Sequence, residues 1–485
     1  MDMAFIRKVK TASGATAVQI AFKIHGKITR LIHMGSAHNE NELQMLLGLA
    51  KQKLIGSQRS LFPELDSSTN KTFKIGLKQS FSELLFKVLI EQYNALGFNN
   101  LADEDFANLC VARIVEPTSK LDSLRVLADL GVDKLNKDRL YRCLVRSVEH
   151  NYRSKVEEAC FKHASTQGIS LILYDVTTLY FEIQKEDEYR KPGMSKERRL
   201  EPQIIIGLLV DQQGFPLGLH SFEGNTAETN TILPVIEQFK ARHGLTEITV
   251  VADAGMMSAK NLEALTLAGY HYIVGSRLHK IPYGVAEYQK TGKLSDTQTI
   301  TVELKDSRII YQYKEKRAAL DIRNIQKQVA KAEKVVSGQS PVKRAKFLTA
   351  QTKDKKLNQT LIDKAYALAG IKGYVTNLDL PDKQIIAYYH QLFAVEASFR
   401  MAKSDLRARP IFHHNRDSIE AHLTIVLAAL SIARTVESRA GISIKQFVKT
   451  LRPIRSGTVT INGHEYVAEA EIPPAVIEIL KNIKS

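Results

Sequence analysis

Three carboxylates stand in places where a carboxylate is costly. Asp175 closes the apolar run LILY, and Asp253 closes ITVVA. Glu396 sits within YYHQLFAVEASFRMAKSDL, from Tyr388 to Leu406, a stretch with helical periodicity. A charge at the end of a buried strand needs solvent, a partner or a metal. Each residue taken alone has a plainer reading. An Asp after a strand is also a turn or cap residue, and Glu396 can pair with Arg400 one turn on. Taken together the three suggest chemistry. If the two Asp-bearing strands are neighbours they lie about 4.8 Å apart, and carboxylates that face each other at such range need a cation between them. From Tyr389, a continuous helix puts Leu392, Glu396, Phe399 and Lys403 on one face, widened by Ile385, Ile386 and Phe393. Glu396 is therefore expected to point inward. An all-oxygen ligand set selects Mg²⁺ or Mn²⁺ over zinc. Two such ions can clamp the attacking and leaving oxygens of a phosphodiester.

The elements that must position these groups follow from periodicity. Residues 1–57 alternate in a period near two and form a β-rich N-terminal unit. Residues 72–168 carry helical periods and form a helical unit, either a DNA-reading helix pair or one corner of a bundle. From Ser170 the order is strand, hairpin, helix, strand, helix, strand. The Glu396 helix arrives only after a gap of about 279–375, which is too long for a loop and is read as an inserted α+β unit. A tail, 436–485, holds a small hairpin around NGHE and a last helix. The expected fold class is α/β, with the catalytic domain spanning 170–435.

The net charge of +16 favours a polyanionic partner, most simply nucleic acid. From Gln326 to Lys356 there are nine Lys/Arg against two acidic residues. The three cysteines, Cys110, Cys143 and Cys160, are widely spaced, without a CxxC or CxxH pair, and are expected as free thiols. The longest apolar run, LTIVLAALSIA from Leu423, is short for a membrane span and reads as a buried helix. The N-terminus lacks a signal-peptide pattern, so a cytoplasmic location is expected.

At these residues the sequence resembles the DDE transposases of bacterial insertion sequences, in particular the group with the third motif Y-(x2)-R-(x3)-E-(x6)-K. The matching text is YDVTTLYF around Asp175, VVADAG around Asp253, and the segment with Tyr389, Glu396 and Lys403. GLHSFEGNTAETNTILPVI, SFRMAKSDLRARPIFHH, FIRKVKTASGATAVQI and ARIVEPTSKLDS also resemble family text. The resemblance implies an RNase H-like catalytic core and Asp175, Asp253 and Glu396 as catalytic metal ligands for Mg²⁺ or Mn²⁺, as a pair of ions. It implies DNA contacts by Tyr389 and Lys403, the element's terminal inverted repeats and target DNA as partners, and at least a dimer in the synaptic complex. One departure stands out. Leu392 occupies the place of the motif's Arg, with Arg400 as a candidate substitute. The chain also has no Trp, so any base stacking falls to Tyr or Phe.

Other polar residues have simpler readings. His413 and His414 are adjacent and belong in a polar turn after Pro410. Glu186–Glu188 is a solvated loop, Asp211 a hairpin turn residue, and Asn225 and Glu228 candidate supports for the acids. Two rival functions stay open: a nuclease without strand transfer, and a DNA-binding relative that no longer catalyses.

Overall fold

The computed structural model describes residues 3–484 apart from 12–13, 25, 56–74, 167, 170, 183–185, 194–200, 246, 277, 279–281, 293, 340–345, 350–355 and 462–463. The chain divides into two compact units. One comprises residues 1–76 with 460–464, the other 77–459 with 465–485.

In the first unit, β1 (Met3–Lys10), β2 (Thr16–Ile24) and β3 (Lys27–Ala37) form an antiparallel sheet in that order. Helix α1 (Glu40–Ile55) follows, inside the stretch expected to be strand-rich. Val18 and Ile20 of β2 and Ala50 of α1 centre the core, with Leu43, Leu46 and Leu47 packed against it. The helix gives the sheet the apolar cover that three strands cannot give themselves.

In the second unit, β4 (Ile75–Phe81) leads into α2 (Glu83–Ala95), α3 (Glu104–Val115), α4 (Ser123–Asp129), α5 (Lys137–Glu149) and α6 (Tyr152–Ser165). Asp103 and Asn136 cap α3 and α5 by accepting from Phe106 N–H and Arg139 N–H. The three cysteines are buried free thiols within this helical region.

A mixed eight-stranded sheet follows. Its members are β5 (Leu171–Tyr180), β6 (Gln203–Val210), β7 (Pro216–Glu223), β8 (Thr249–Ala252), β9 (His271–Ser276), β10 (Thr299–Glu303), β11 (Arg308–Tyr313) and β12 (Ile371–Thr376). The order across the sheet is β10-β11-β12-β9-β8-β5-β6-β7. The pairs β5–β8 and β8–β9 are parallel. Such strands need crossover connections, and α7 (Ile232–His243) and α8 (Ala259–Leu267) lie in those connections. Asp211 makes the β6–β7 turn, accepting from Gln213 N–H and Phe215 N–H. Gly214 there has φ +81°, which a side chain would disfavour.

The stretch read as an insertion is divided between two roles. Strands β10, β11 and β12 continue the main sheet from β9. Helices α9 (Tyr283–Thr291), α10 (Glu315–Val336) and α11 (Gln359–Ala367) also fall within it. The latter two share a small core of Ile325, Ala332, Phe347 and Ile362. Parts of the Lys-rich stretch, 340–345 and 350–355, lie outside the described residues.

Helices α12 (Asp382–His390) and α13 (Leu392–Arg400) precede the long α14 (Arg416–Ala440). Helix α14 runs on to a left-handed Gly441, so the expected boundary at 435 falls inside it. Its middle, Ala421–Ala433, is buried all round because the helix packs against helices of the α2–α6 group and against β7. The tail adds α15 (Ile444–Leu451), β13 (Ser456–Ile461), β14 (His464–Ala468) and α16 (Pro474–Lys484), with β13 pairing to β4. The Asn462 and Gly463 of the expected tail hairpin lie outside the described residues.

Candidate active site

Parallel pairing brings the two aspartates together. Leu171 is opposite Thr249, Ile172 opposite Val250 and Leu173 opposite Val251. Continued two residues past the last pair, that register puts Asp175 level with Asp253, the residue that follows the last of β8. Side chains two apart on a strand share a face, so the Asp175 carboxylate continues the face of buried Leu173. Asp175 is half-buried and Asp253 exposed. The Asp175 Oδ1 accepts from Val176 N–H at 2.8 Å.

The helix with the third acid differs from the expectation. It is not continuous. Gln391 N–H donates to Tyr388 O at 3.1 Å and Ala394 N–H to Gln391 O at 2.8 Å. These are bonds to the third residue back, as in a 3₁₀ turn, and they turn the chain further per residue than an α-helix does. The face drawn from Tyr389 therefore loses its phase before Glu396. The buried residues of α13 are Ala394, Val395, Ser398 and Phe399. Glu396 is exposed rather than inward, and Phe393, expected to widen the apolar face, is 68% exposed. Among the described residues no ion pair joins Glu396 to exposed Arg400. The helix is nonetheless anchored to the sheet: Ser398 Oγ donates to Gly214 O at 2.6 Å.

After Arg400 the chain widens into a π turn, Met401–Asp405, closed by Leu406 N–H to Met401 O at 2.9 Å. Such turns re-aim side chains at functional sites. Lys403 lies in this one, and its ammonium donates to Thr177 Oγ1 on β5, two residues past Asp175.

Tyr389, expected among the DNA contacts, is only 5% exposed. Its hydroxyl donates to Asp253 Oδ1 at 3.1 Å. Burial, and then the negative charge of Asp253, hold that hydroxyl protonated well above its ordinary range. The bond ties this helix to Asp253. Leu392, expected to stand in the place of the motif's Arg, is half-buried against the core.

Lys372 on β12 belongs to this site and was not read from sequence. Its ammonium lies 4.2 Å from the centre of the Tyr389 ring, a cation–π distance. Burial and Arg317 lower its pKa, while Asp253 and Glu396 favour its charged form. Lys372 thus feels two of the three acids at once. A lone charge inside the strand IKGYVT was the available signal. Asn225 is exposed, and Glu228 opens a single 3₁₀ turn after β7.

The donor chemistry fits a hard divalent cation. Asp175, Asp253 and Glu396 offer oxygen only, and solvent reaches all three. The aspartate pair also fits in placement. Among the described residues, however, no three acidic, His or Cys side chains are drawn into a cluster tight enough to hold an ion.

Ligands of open α/β sheets bind beyond the carboxyl ends of the strands, and here that edge carries paired carboxylates flanked by two lysines. The arrangement defines an α/β protein with an acidic edge at the ends of β5 and β8. Residues 166–432, more than half of the 485-residue chain, match the family model described as Transposase DDE domain, and the chain belongs to that family. No curated protein matches its sequence. Among solved structures, the cryo-EM structure of the piggyBac transposase synaptic complex with hairpin DNA is similar at 12% identity, with a TM-score of 0.41, over 77% of this chain and 79% of that one.

Proposed function

We propose that this chain is a metal-dependent DNA transposase of the bacterial insertion-sequence group with the Y-(x2)-R-(x3)-E-(x6)-K motif. The observation that carries the reading is the parallel pairing of β5 with β8, whose register, continued two residues, sets Asp175 level with Asp253, within a chain of the DDE family. The order strand, hairpin, helix, strand, helix, strand from residue 171 supports an RNase H-like core.

In this reading Asp175, Asp253 and Glu396 would hold Mg²⁺ or Mn²⁺, as a pair of ions, once DNA and metal draw them together. A bound divalent cation supplies a water of lowered pKa and neutralises charge on the phosphoryl oxygens. The chain's own residues do the rest. Tyr389 fixes the Asp253 carboxylate. Lys403, held at Thr177, offers a charge to a DNA phosphate beside the acids. Exposed Arg400 contributes charge at the same helix end. Lys372 balances Asp253 and Glu396 when the site is open.

The reaction is two phosphoryl transfers. Hydrolysis at the element end breaks a P–O bond and frees a 3′-hydroxyl. That hydroxyl then attacks a target phosphodiester, and the displaced target oxygen leaves. The N-terminal units and the basic stretch around Lys327–Lys356 grip the ends, two ends demand at least a dimer in the working complex, and the setting is the bacterial cytoplasm.

The test is a strand-transfer assay on labelled DNA carrying the element's terminal repeats with Mg²⁺, comparing wild type with Glu396→Gln. Joined product from wild type alone is expected. Cutting without joining would favour a nuclease, and DNA binding with no metal-dependent product would favour a binding protein.

A further inference from the structure

Two segments that resemble family text find no place in the reaction above: ARIVEPTSK, 112–120, and RARPIFHH, 407–414. They face each other across a cleft of about 590 Å³, lined by Arg113, Lys120, Arg409 and His413, with His422 of α14 at its wall. Tyr141 and Phe412, both exposed, line it too.

Among the described residues no acidic side chain lines this cleft. Arg113 is 7% exposed and Lys120 5% exposed. The Lys120 ammonium meets His422 Nδ1 at 3.4 Å, an imidazole and not a carboxylate. His422 is held from its other side by Ala408 O at 3.2 Å, and His413 lies 5.6 Å from it, ring to ring. Asp122, two residues beyond Lys120, is taken by Arg125 and Thr118. Among the described residues no carboxylate forms an ion pair with Arg113 or Lys120. Taking one unpaired charge out of water costs several kcal/mol. Folded proteins rarely leave two cations buried against two imidazoles without an anion to meet them.

The electrostatics agree. Burial, then Arg113, pushes the Lys120 pKa well below its ordinary value, and burial with Lys120 and Arg113 pushes His413 down to about 4. An anion in the cleft would reverse these shifts. The backbone agrees too. Arg407 is held at φ +43°, a left-handed conformation that a non-glycine residue adopts at a cost, and such strain gathers at functional segments.

The cleft is also connected to the acids. Lys403 reaches Thr177 midway along β5, and Arg409 stands 5.3 Å from the ring centre of Tyr180, the last residue of that strand. From Asp175 to Tyr180 is about 17 Å of strand. Positive charge therefore follows β5 from the carboxylates toward the cleft, as a grip on a DNA backbone requires.

We propose that Arg113, Lys120, His413 and His422 form a phosphate-binding pocket that holds a backbone phosphate of the bound DNA, away from the reacting one. This rests on the reading of the chain as a DNA-processing enzyme. The ligand chemistry is a phosphate oxyanion, and two sources share it: the DNA backbone and free phosphate.

The test uses the full chain in EDTA, so that no cleavage enters. Thermal unfolding is recorded with inorganic phosphate against chloride at equal ionic strength. Affinity for a short synthetic DNA duplex is then measured across a salt series. The proteins are wild type, Lys120→Met and Arg113→Met. Lys120→Met removes a buried charge and keeps the volume, so it is expected to fold. If it does not, Arg113→Met and the phosphate effect on wild type still decide. Phosphate is expected to raise the unfolding temperature of wild type and not of the variants. The variants should bind the duplex roughly tenfold more weakly, the scale of one charge-assisted hydrogen bond, with the salt slope reduced by about one. Equal affinity and parallel salt slopes would overturn the pocket as a DNA contact. If phosphate still protects only wild type in that case, the site belongs to free phosphate. No phosphate effect on any protein would remove the pocket altogether. Failure of the transposase reading would appear elsewhere, as wild type that binds DNA through this pocket yet gives no metal-dependent product.

Discussion

The hydroxyl of Tyr389 donates to Oδ1 of Asp253 across 3.1 Å, joining α12 to the end of β8. The ring is buried beside Tyr374, with centroids 5.0 Å apart, so the hydroxyl has little freedom to turn elsewhere. Tyr389→Phe keeps the packing and removes only that bond. Outer hydrogen bonds to ligating groups are worth about 10–100-fold in activity or metal affinity. Tyr389→Phe is expected to lose activity on that scale while its unfolding temperature stays within a few degrees of wild type. A loss of stability without a loss of Mn²⁺ affinity would show that the tyrosine only packs.

Lys372 gives a prediction of opposite sign. Its ammonium sits against Tyr389 and feels both Asp253 and Glu396. A cation there competes with any other cation for the same carboxylates. Opposite charges near one another in a partly wet site interact with about 1 kcal/mol or somewhat more. Lys372→Met should therefore bind Mn²⁺ several-fold more tightly than wild type, as read by calorimetric titration. Weaker binding in the variant would mean that Lys372 instead orders the acids.

The aspartates were legible in sequence because each interrupts an apolar strand run, a purely local signal. Their pairing followed only from the register of β5 on β8, which no local pattern gives. The helix phase failed at Gln391. Neither Gly nor Pro marks the break there, so periodicity ran straight through it and turned Glu396 inward. Lys372 was missed because its strand closes a stretch read as an insertion, whereas β12 completes the main sheet. The Lys120 cleft was out of reach altogether. Its partner His422 lies 302 residues away, and buried charge shows only once the helices are packed.

Lys403 tests the grip on DNA near the acids. It sits in the π turn with its ammonium at Thr177, half-buried. Lys403→Gln keeps a hydrogen-bonding group and removes the charge. Removing one charge from a phosphate weakens binding to all sequences alike and lowers the salt slope by about one. Affinity for unrelated duplexes across a salt series should show both effects. A sequence-dependent loss at unchanged slope would place Lys403 on a base edge.

Asp103 anchors the helical region, and its behaviour sets a pH dependence. Its carboxylate accepts from Phe106 N–H at 3.1 Å, from Arg146 Nε at 2.9 Å and from Tyr152 Oη at 2.9 Å. Burial alone would raise its pKa, but the bonds from Arg146, Phe106 and Tyr152 outweigh it and hold the pKa below the ordinary value. A depressed carboxylate stabilises the fold above its unfolded pKa of about 3.9, and that contribution fades as pH falls through the folded value. Asp103→Ala leaves Arg146 with only Asp105, at 3.2 Å, and removes the cap of α3. The expected cost near neutral pH is about 2 kcal/mol, the scale of a lost helix cap and of hydrogen bonds to a charged group. Denaturant unfolding of wild type and variant should differ most near neutral pH, and the gap should narrow as the solution is acidified below about pH 4. A gap that stays constant down to the acid limit would mean that the cap geometry, and not the charge, carries the stabilisation.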